Sequence, residues 1–249
     1  IKLWNLQTQT EIKTLTGHSS SVNSVAFSPD GLTLASASHD GTIKLWNLQT
    51  QTEIKTLIGH SNKVWSVAFS RDGLTLASAS DDKTIKLWNL QTQTEIKTLT
   101  GHKDSVNSVA FSPDGLTLAS ASSDKTIKLW NLQTQKEIKT LTGHSNEVYS
   151  VAFSPDGLTL ASASYDKTIK LWNLQAEKEI KTLTGHSSRV LSLAFSPDGL
   201  TLASASDDKT IKLWTWDFDR LMTLGCNWIS DYLRTNPTLT QKDKQMCSD

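Results

Sequence analysis

A period of 42 residues runs through this chain almost without error. The pair Gly-His recurs with its histidines at His18, His60, His102, His144 and His186, and the motif IKLW ends on Trp4, Trp46, Trp88, Trp130, Trp172 and Trp214. A fixed repeat of this length restricts the fold severely. Each copy is one supersecondary unit that cannot bury both of its faces alone, so the copies must stack on one another.

Within a copy the pattern is that of strands. Residues 21–28 (SVNSVAFS) and 32–38 (LTLASAS) are short β-prone runs joined by Pro29-Asp30-Gly31, which predicts a hairpin. TIKLW (42–46) follows a second tight turn at Asp40-Gly41, and EIKTL (53–57) follows the polar segment 47–50. This predicts four short strands per unit, with no helical period inside a repeat. Radial stacking of such units covers both faces of each.

The recurring Gly17-His18, Ser36, Asp40 and Trp46 resemble the WD40-repeat family of β-propellers over residues 1 to about 214. The family's Trp-Asp ending reads Trp46-Asn47 here. The resemblance implies an all-β propeller of four-stranded antiparallel blades over residues 1–216, in units starting at Gly17, Gly59, Gly101, Gly143 and Gly185. It also implies that one His, Ser, Asp and Trp per unit form a buried structural network: His18/Ser36/Asp40/Trp46, His60/Ser78/Asp82/Trp88, His102/Ser120/Asp124/Trp130, His144/Ser162/Asp166/Trp172 and His186/Ser204/Asp208/Trp214.

The two ends of the repeat array do not balance. Ile1 to Trp4 reads as a third strand and Glu11 to Leu15 as a fourth, whereas after Trp214 the expected EIKTL is absent. Phe218, Leu221, Met222, Trp228, Ile229, Tyr232 and Leu233 fall at helical spacing between an N-cap at Asp217 and a stop at Asn236-Pro237. We therefore expect a C-terminal helical cap over 217–236 and a polar tail over 237–249. This ending resembles that of multi-repeat bacterial WD proteins, cyanobacterial ones in particular. The fourth strand at Glu11 to Leu15 could close a five-blade ring against Ile211 to Trp214, but Ile1 to Trp4 would then have no place. The expectation is instead about five and a half repeats of a propeller of about seven or more blades, begun inside a repeat at Ile1. Because any fourth strand fits any third, self-association by strand exchange is also expected.

Composition narrows the chemistry. Lys plus Arg and Asp plus Glu both total 25, so no basic field argues for nucleic acid. Cys226 and Cys247 show no metal-site or disulfide spacing, which fits a reducing cytoplasm. No run of 18 or more apolar residues is present to span a membrane. Five of the six histidines belong to the repeat, so the Ser/His/Asp sets read as structural rather than catalytic. One Asp per Pro-Asp-Gly turn is too few for a calcium loop. Lys44, Lys86, Lys128, Lys170 and Lys212 read as solubilising strand residues rather than a basic binding ring. No catalytic residue, cofactor or metal site is expected.

Copies left alike by recent duplication say little, so the informative positions are those that differ. Between Gly-His and Trp, four positions take three or more residue types. They are Ser20/Asn62/Asp104/Asn146/Ser188, Ser21/Lys63/Ser105/Glu147/Arg189, Asn23/Trp65/Asn107/Tyr149/Leu191 and His39/Asp81/Ser123/Tyr165/Asp207. Three lie where the first strand starts and one in the turn between second and third strands, at one end of every blade. In the WD40 family that end is the top face, where protein and peptide partners dock. Replacement of small polar residues by Trp65, Tyr149, Tyr165, Arg189 and Leu191 supplies anchor-type side chains. The reading is a non-catalytic interaction scaffold for a protein or peptide, with two rivals. One is the sensor region of a larger bacterial signalling enzyme carrying a kinase, protease or NTPase domain upstream. The other is a channel-centred hydrolase or lectin-like binder using His39, Asp81, Glu147 and Asp207.

Overall fold

The structure, a computed structural model, describes residues 1–215. They form 21 strands and no helix. A hairpin of β1 (Lys2–Asn5) and β2 (Thr10–Thr14) precedes blade one, which consists of β3 (Val22–Phe27), β4 (Thr33–Ser38), β5 (Ile43–Asn47) and β6 (Thr52–Leu57). Blade two is β7 (Val64–Phe69), β8 (Thr75–Ser80), β9 (Ile85–Asn89) and β10 (Thr94–Leu99). Blade three is β11 (Val106–Phe111), β12 (Thr117–Ser122), β13 (Ile127–Asn131) and β14 (Lys136–Leu141). Blade four is β15 (Val148–Phe153), β16 (Thr159–Ser164), β17 (Ile169–Asn173) and β18 (Lys178–Leu183). Blade five is β19 (Val190–Phe195), β20 (Thr201–Ser206) and β21 (Ile211–Thr215), three strands among the described residues. Each blade is an antiparallel meander, and the architecture is that of a β-propeller of four-stranded blades.

The core lies between blades. The central strand LASAS looks half-polar in sequence, yet Leu34 to Ser38 are all buried, because each of its two faces meets a neighbour. Leu34 packs with Leu15 and Trp46 against the β1–β2 hairpin, while Ala35 and Ala37 join Ile43, Leu45 and Leu57 in packing on Val64, Val67, Leu76 and Trp88 of blade two. Small alanines on that face let the next blade approach closely. The same set of contacts recurs at the joints of blades two with three, three with four and four with five.

At the ends, β2 pairs with β1 and not with β21, so the closure of a five-blade ring by a fourth strand from the N-terminal segment is not formed. The expected helix at 217–236 and tail at 237–249 lie outside the described residues, as do Cys226 and Cys247.

Candidate binding face and the network beneath it

The turn that closes each β4–β5-type hairpin is built on an aspartate. In blade one, Asp40 accepts hydrogen bonds from His18 Nδ1 (2.8 Å), the Ser19 N–H (3.0 Å), and both the N–H and the hydroxyl of Thr42 (2.9 and 2.6 Å). His18 Nε2 lies 2.8 Å from Ser36 Oγ, to which Trp46 donates its indole N–H at 2.9 Å. The carboxylate requires the proton of His18 on Nδ1, which leaves Nε2 to accept the Ser36 hydroxyl. All five sets repeat this chain at 2.7–2.9 Å. Burial alone would raise the Asp82, Asp124 and Asp166 carboxyls, but the bonds from histidine and threonine hold them well below the usual carboxylate range.

This geometry rules out a nucleophilic role for these serines. Ser36, Ser78, Ser120 and Ser162 are fully buried and each oxygen already serves both a histidine and a tryptophan. A nucleophile must be reachable by substrate. Two further members of the network escaped the sequence reading: the threonine two residues after each aspartate, and Ser38 with its copies, whose hydroxyl accepts the aspartate N–H. Their only sequence signal is invariance among copies, which recent duplication makes uninformative.

The differing positions sit directly on this turn. The N–H groups of His39, Asp81, Ser123, Tyr165 and Asp207 donate to the carbonyls of Ser21, Lys63, Ser105, Glu147 and Arg189 respectively, at 2.9–3.1 Å. The two stretches of differing residues are thus fastened together at one end of every blade. Side chains then join across neighbouring blades. In blades one and two, the His39 ring stands edge-on to Trp65 at 4.8 Å, Lys63 Nζ lies 5.9 Å from the Trp65 ring, and the Trp65 indole N–H bonds Asp81. His39 Nε2 is buried there and has no hydrogen-bond partner among the described residues.

A second cluster spans blades four and five. The Tyr149 hydroxyl donates to Glu147 (2.8 Å), Tyr149 and Tyr165 lie 6.3 Å apart, Arg189 stacks over Tyr165 at 5.4 Å, and Arg189 pairs with Asp207. Burial and the bond to Glu147 push the Tyr149 phenol up to about 12, so it remains a donor at neutral pH. Tyr165 and Leu191 are exposed, whereas Trp65 and Tyr149 are half-buried with their polar atoms engaged. Between the clusters, Asn107 bonds Ser123 at 3.0 Å, in a stretch where these positions hold no aromatic residue and the exposed Asp104 is their one charge. Asn23 and Asn107 also donate to Val64 O and Val148 O of the next blade, which gives these two residues work inside the joint.

The remaining candidates resolve locally. Asp30 accepts the Leu32 N–H at 2.9 Å and the Ser28 hydroxyl, so the Pro-Asp-Gly turns spend their carboxylate on themselves. Among the described residues no group of three His, Cys, Asp or Glu converges as a metal site would require. The lysine row departs from expectation: Lys44 is largely buried, donating to Glu53 (2.8 Å) and Thr56 (2.7 Å), and its copies Lys86, Lys128 and Lys170 do the same. These lysines tie third strands to fourth rather than solvating a surface.

Blades fastened by a His–Ser–Asp–Trp network, with differing side chains gathered at the turn end, define a repeat propeller of the WD type. The comparisons agree. Residues 1–157 match the family model of the WDR3 first beta-propeller domain, and residues 177–215 that of the WD domain, G-beta repeat. The chain belongs to the WD-repeat β-propeller family, whose members are generally non-catalytic and serve as protein-interaction scaffolds. No curated protein matches the chain.

Proposed function

We propose that the turn end of the blades binds a protein or peptide, and that this chain has no catalytic chemistry of its own. The carrying observation is the convergence of the differing residues: positions some 18 residues apart in each repeat are hydrogen-bonded to one another and fuse into two aromatic and charged clusters. Tyr165 and Leu191 provide exposed apolar contact area. Lys63, Asp81, Glu147, Arg189 and Asp207 set orientation and association rate more than affinity. The unspent His39 Nε2 beneath Trp65 offers one hydrogen-bonding group to a partner that displaces the ring. Two clusters separated by a blade with no aromatic residue at these positions favour a partner that makes two contacts.

The test is affinity capture with Trp65→Ala, Tyr165→Ala and Arg189→Ala, against an outer-strand control at Lys97. Loss of captured partners in the first three, with folding intact by circular dichroism and the control unchanged, is expected. Capture that is indifferent to all three substitutions would overturn the proposal.

A further inference from the structure

Two positions at the turn end vary between only two residue types among the copies, and both add positive charge in the middle of the array. The first is Lys103 in blade three, where the other copies carry Ser19, Ser61, Ser145 and Ser187. Lys103 is thus a departure from the repeat rather than a legacy of duplication. The second is the tight turn that holds Gly41 in blade one but Lys83 and Lys125 in blades two and three, at φ 70° and 71°. These two keep a long side chain in a left-handed conformation that blade one gives to glycine. Lys83, Lys103 and Lys125 are all exposed.

Backbone contacts gather the three. A Cβ at Gly41 would lie 3.4 Å from Asn62 O and 3.8 Å from His60 O, so the tight turn of one blade abuts the Gly-His loop of the next. The same joint, repeated, sets Lys83 against residues 102–104. The Lys103 N–H in turn donates to Asp124 at 2.9 Å, one residue before Lys125. Among the described residues these three lysines form no salt bridge, whereas Lys44, Lys86, Lys128 and Lys170 on the strands each pair with a glutamate. The acids nearby are engaged: Asp81 takes the Trp65 indole N–H and Asp104 the Ser105 N–H. Asp82 and Asp124 lie beneath the surface, with side chains 9% and 7% exposed and bonded to histidine and threonine.

We propose that the partner presents an acidic segment, rich in Asp and Glu, that crosses blades two and three between the two aromatic clusters and lays its carboxylates on Lys83, Lys103 and Lys125. This rests on the reading of the turn end as a protein-binding face, and it names the chemistry of what joins the two contacts. A nucleic acid fits less well. Asp81 and the exposed Asp104 interleave with the lysines and oppose a continuous run of phosphates, and the differing positions of blade three offer no aromatic ring on which a base could stack. Carboxylates spaced along a polypeptide can meet the lysines and pass over the acids. Exposed pairs of this kind act through orientation and encounter rate more than through affinity, and they weaken with salt.

Fluorescence anisotropy on the full 249-residue chain tests this. The probes are a labelled peptide of alternating Glu and Ser, the same peptide with Gln in place of Glu, and oligothymidylate. At low salt the Glu peptide should bind about tenfold tighter than the Gln peptide, and added salt should erase the difference. The triple variant Lys83→Gly, Lys103→Ser, Lys125→Gly places at each position a residue that other blades carry there, so it spares the fold, as circular dichroism will verify. It should bring the two peptides to within about twofold of each other, while Lys103→Arg leaves binding unchanged. Equal affinity for the two peptides, a triple variant that binds as the unaltered chain does, or oligothymidylate bound as tightly as the Glu peptide would each overturn the proposal. Affinity capture separates it from the reading beneath it. Capture lost with Trp65→Ala and Tyr165→Ala but unaltered in the triple variant overturns the acidic segment and leaves the binding face standing; capture lost in the triple variant but not with the aromatic substitutions does the reverse.

Discussion

Removing a single hydroxyl, Ser120→Ala, should be among the most damaging changes in the chain. Ser120 Oγ accepts the Trp130 N–H at 2.9 Å and lies 2.8 Å from His102 Nε2, in a site sealed from water. Alanine leaves two buried polar groups unsatisfied at about 1–3 kcal/mol each, or roughly 2–6 kcal/mol in total. The internal control is Ser204→Ala in blade five, where Trp214 is only half-buried and its freed N–H can reach water, so the cost should be smaller. Repeat arrays lose stability locally, which makes native-state hydrogen exchange of blade three the appropriate assay, with urea unfolding beside it. In a Trp130→Phe background only the histidine loses a partner, so Ser120→Ala should cost about 1–3 kcal/mol less there. A loss in blade three below about 1 kcal/mol, or no coupling to Trp130, would refute the account of the network as mutually satisfying.

The tight turn after each aspartate holds a left-handed residue, Gly41 at φ 81° in blade one but Lys125 at φ 71° in blade three. A left-handed conformation costs a non-glycine residue about 1–2 kcal/mol, part of which glycine returns through its freer unfolded state. Lys125→Gly should therefore stabilise by about 0.5–1 kcal/mol, and no gain in urea midpoint would contradict the strain argument. Acid should unfold the blades cooperatively. The network aspartates are held below their unfolded-state value, so their stabilisation is present above about pH 4 and lost as pH falls through the folded-state values. Circular dichroism unchanged down to strongly acid pH, together with flat urea stability below pH 4, would count against it.

Much of this is legible in the sequence because a repeat states its own strand plan several times. The hairpin turn at Pro29-Asp30-Gly31 and the strands 22–27 and 33–38 fall where the pattern places them. Less visible is what depends on the neighbouring blade. Ser36 and Ala37 read as one polar and one apolar residue, yet both are buried because each faces a different blade. Lys44 reads as a surface lysine, and only the register of β5 on β6 brings it to Glu53 and Thr56. At the candidate face the sequence locates the positions but not their partners. Trp65 and Tyr149 look like exposed anchors, and their half-buried state follows from Asp81 and Glu147 in their own blades.

That last point carries a prediction of its own. The position occupied by Asn23, Trp65, Asn107, Tyr149 and Leu191 lies at the joint as well as at the proposed binding face. Where it is asparagine, its amide donates to the next blade's carbonyl at 2.8–2.9 Å; where it is aromatic, that bond is replaced by one to an acid of the same blade. Trp65→Asn should restore a bond to Val106 O, by analogy with Asn23 on Val64 O, and so recover about 0.5–1.5 kcal/mol that Trp65→Ala cannot. Both changes remove the indole from His39 and Asp81, and both should abolish capture of a partner equally. Urea unfolding of the two variants decides the matter. If asparagine proves no more stable than alanine, the joint bond has no part at this position; if asparagine also retains binding, the aromatic ring does not make the contact. Should stability rise while binding falls, blades two and four hold their aromatics at the expense of a joint bond, which is the pattern expected where a surface is used rather than merely tolerant of change.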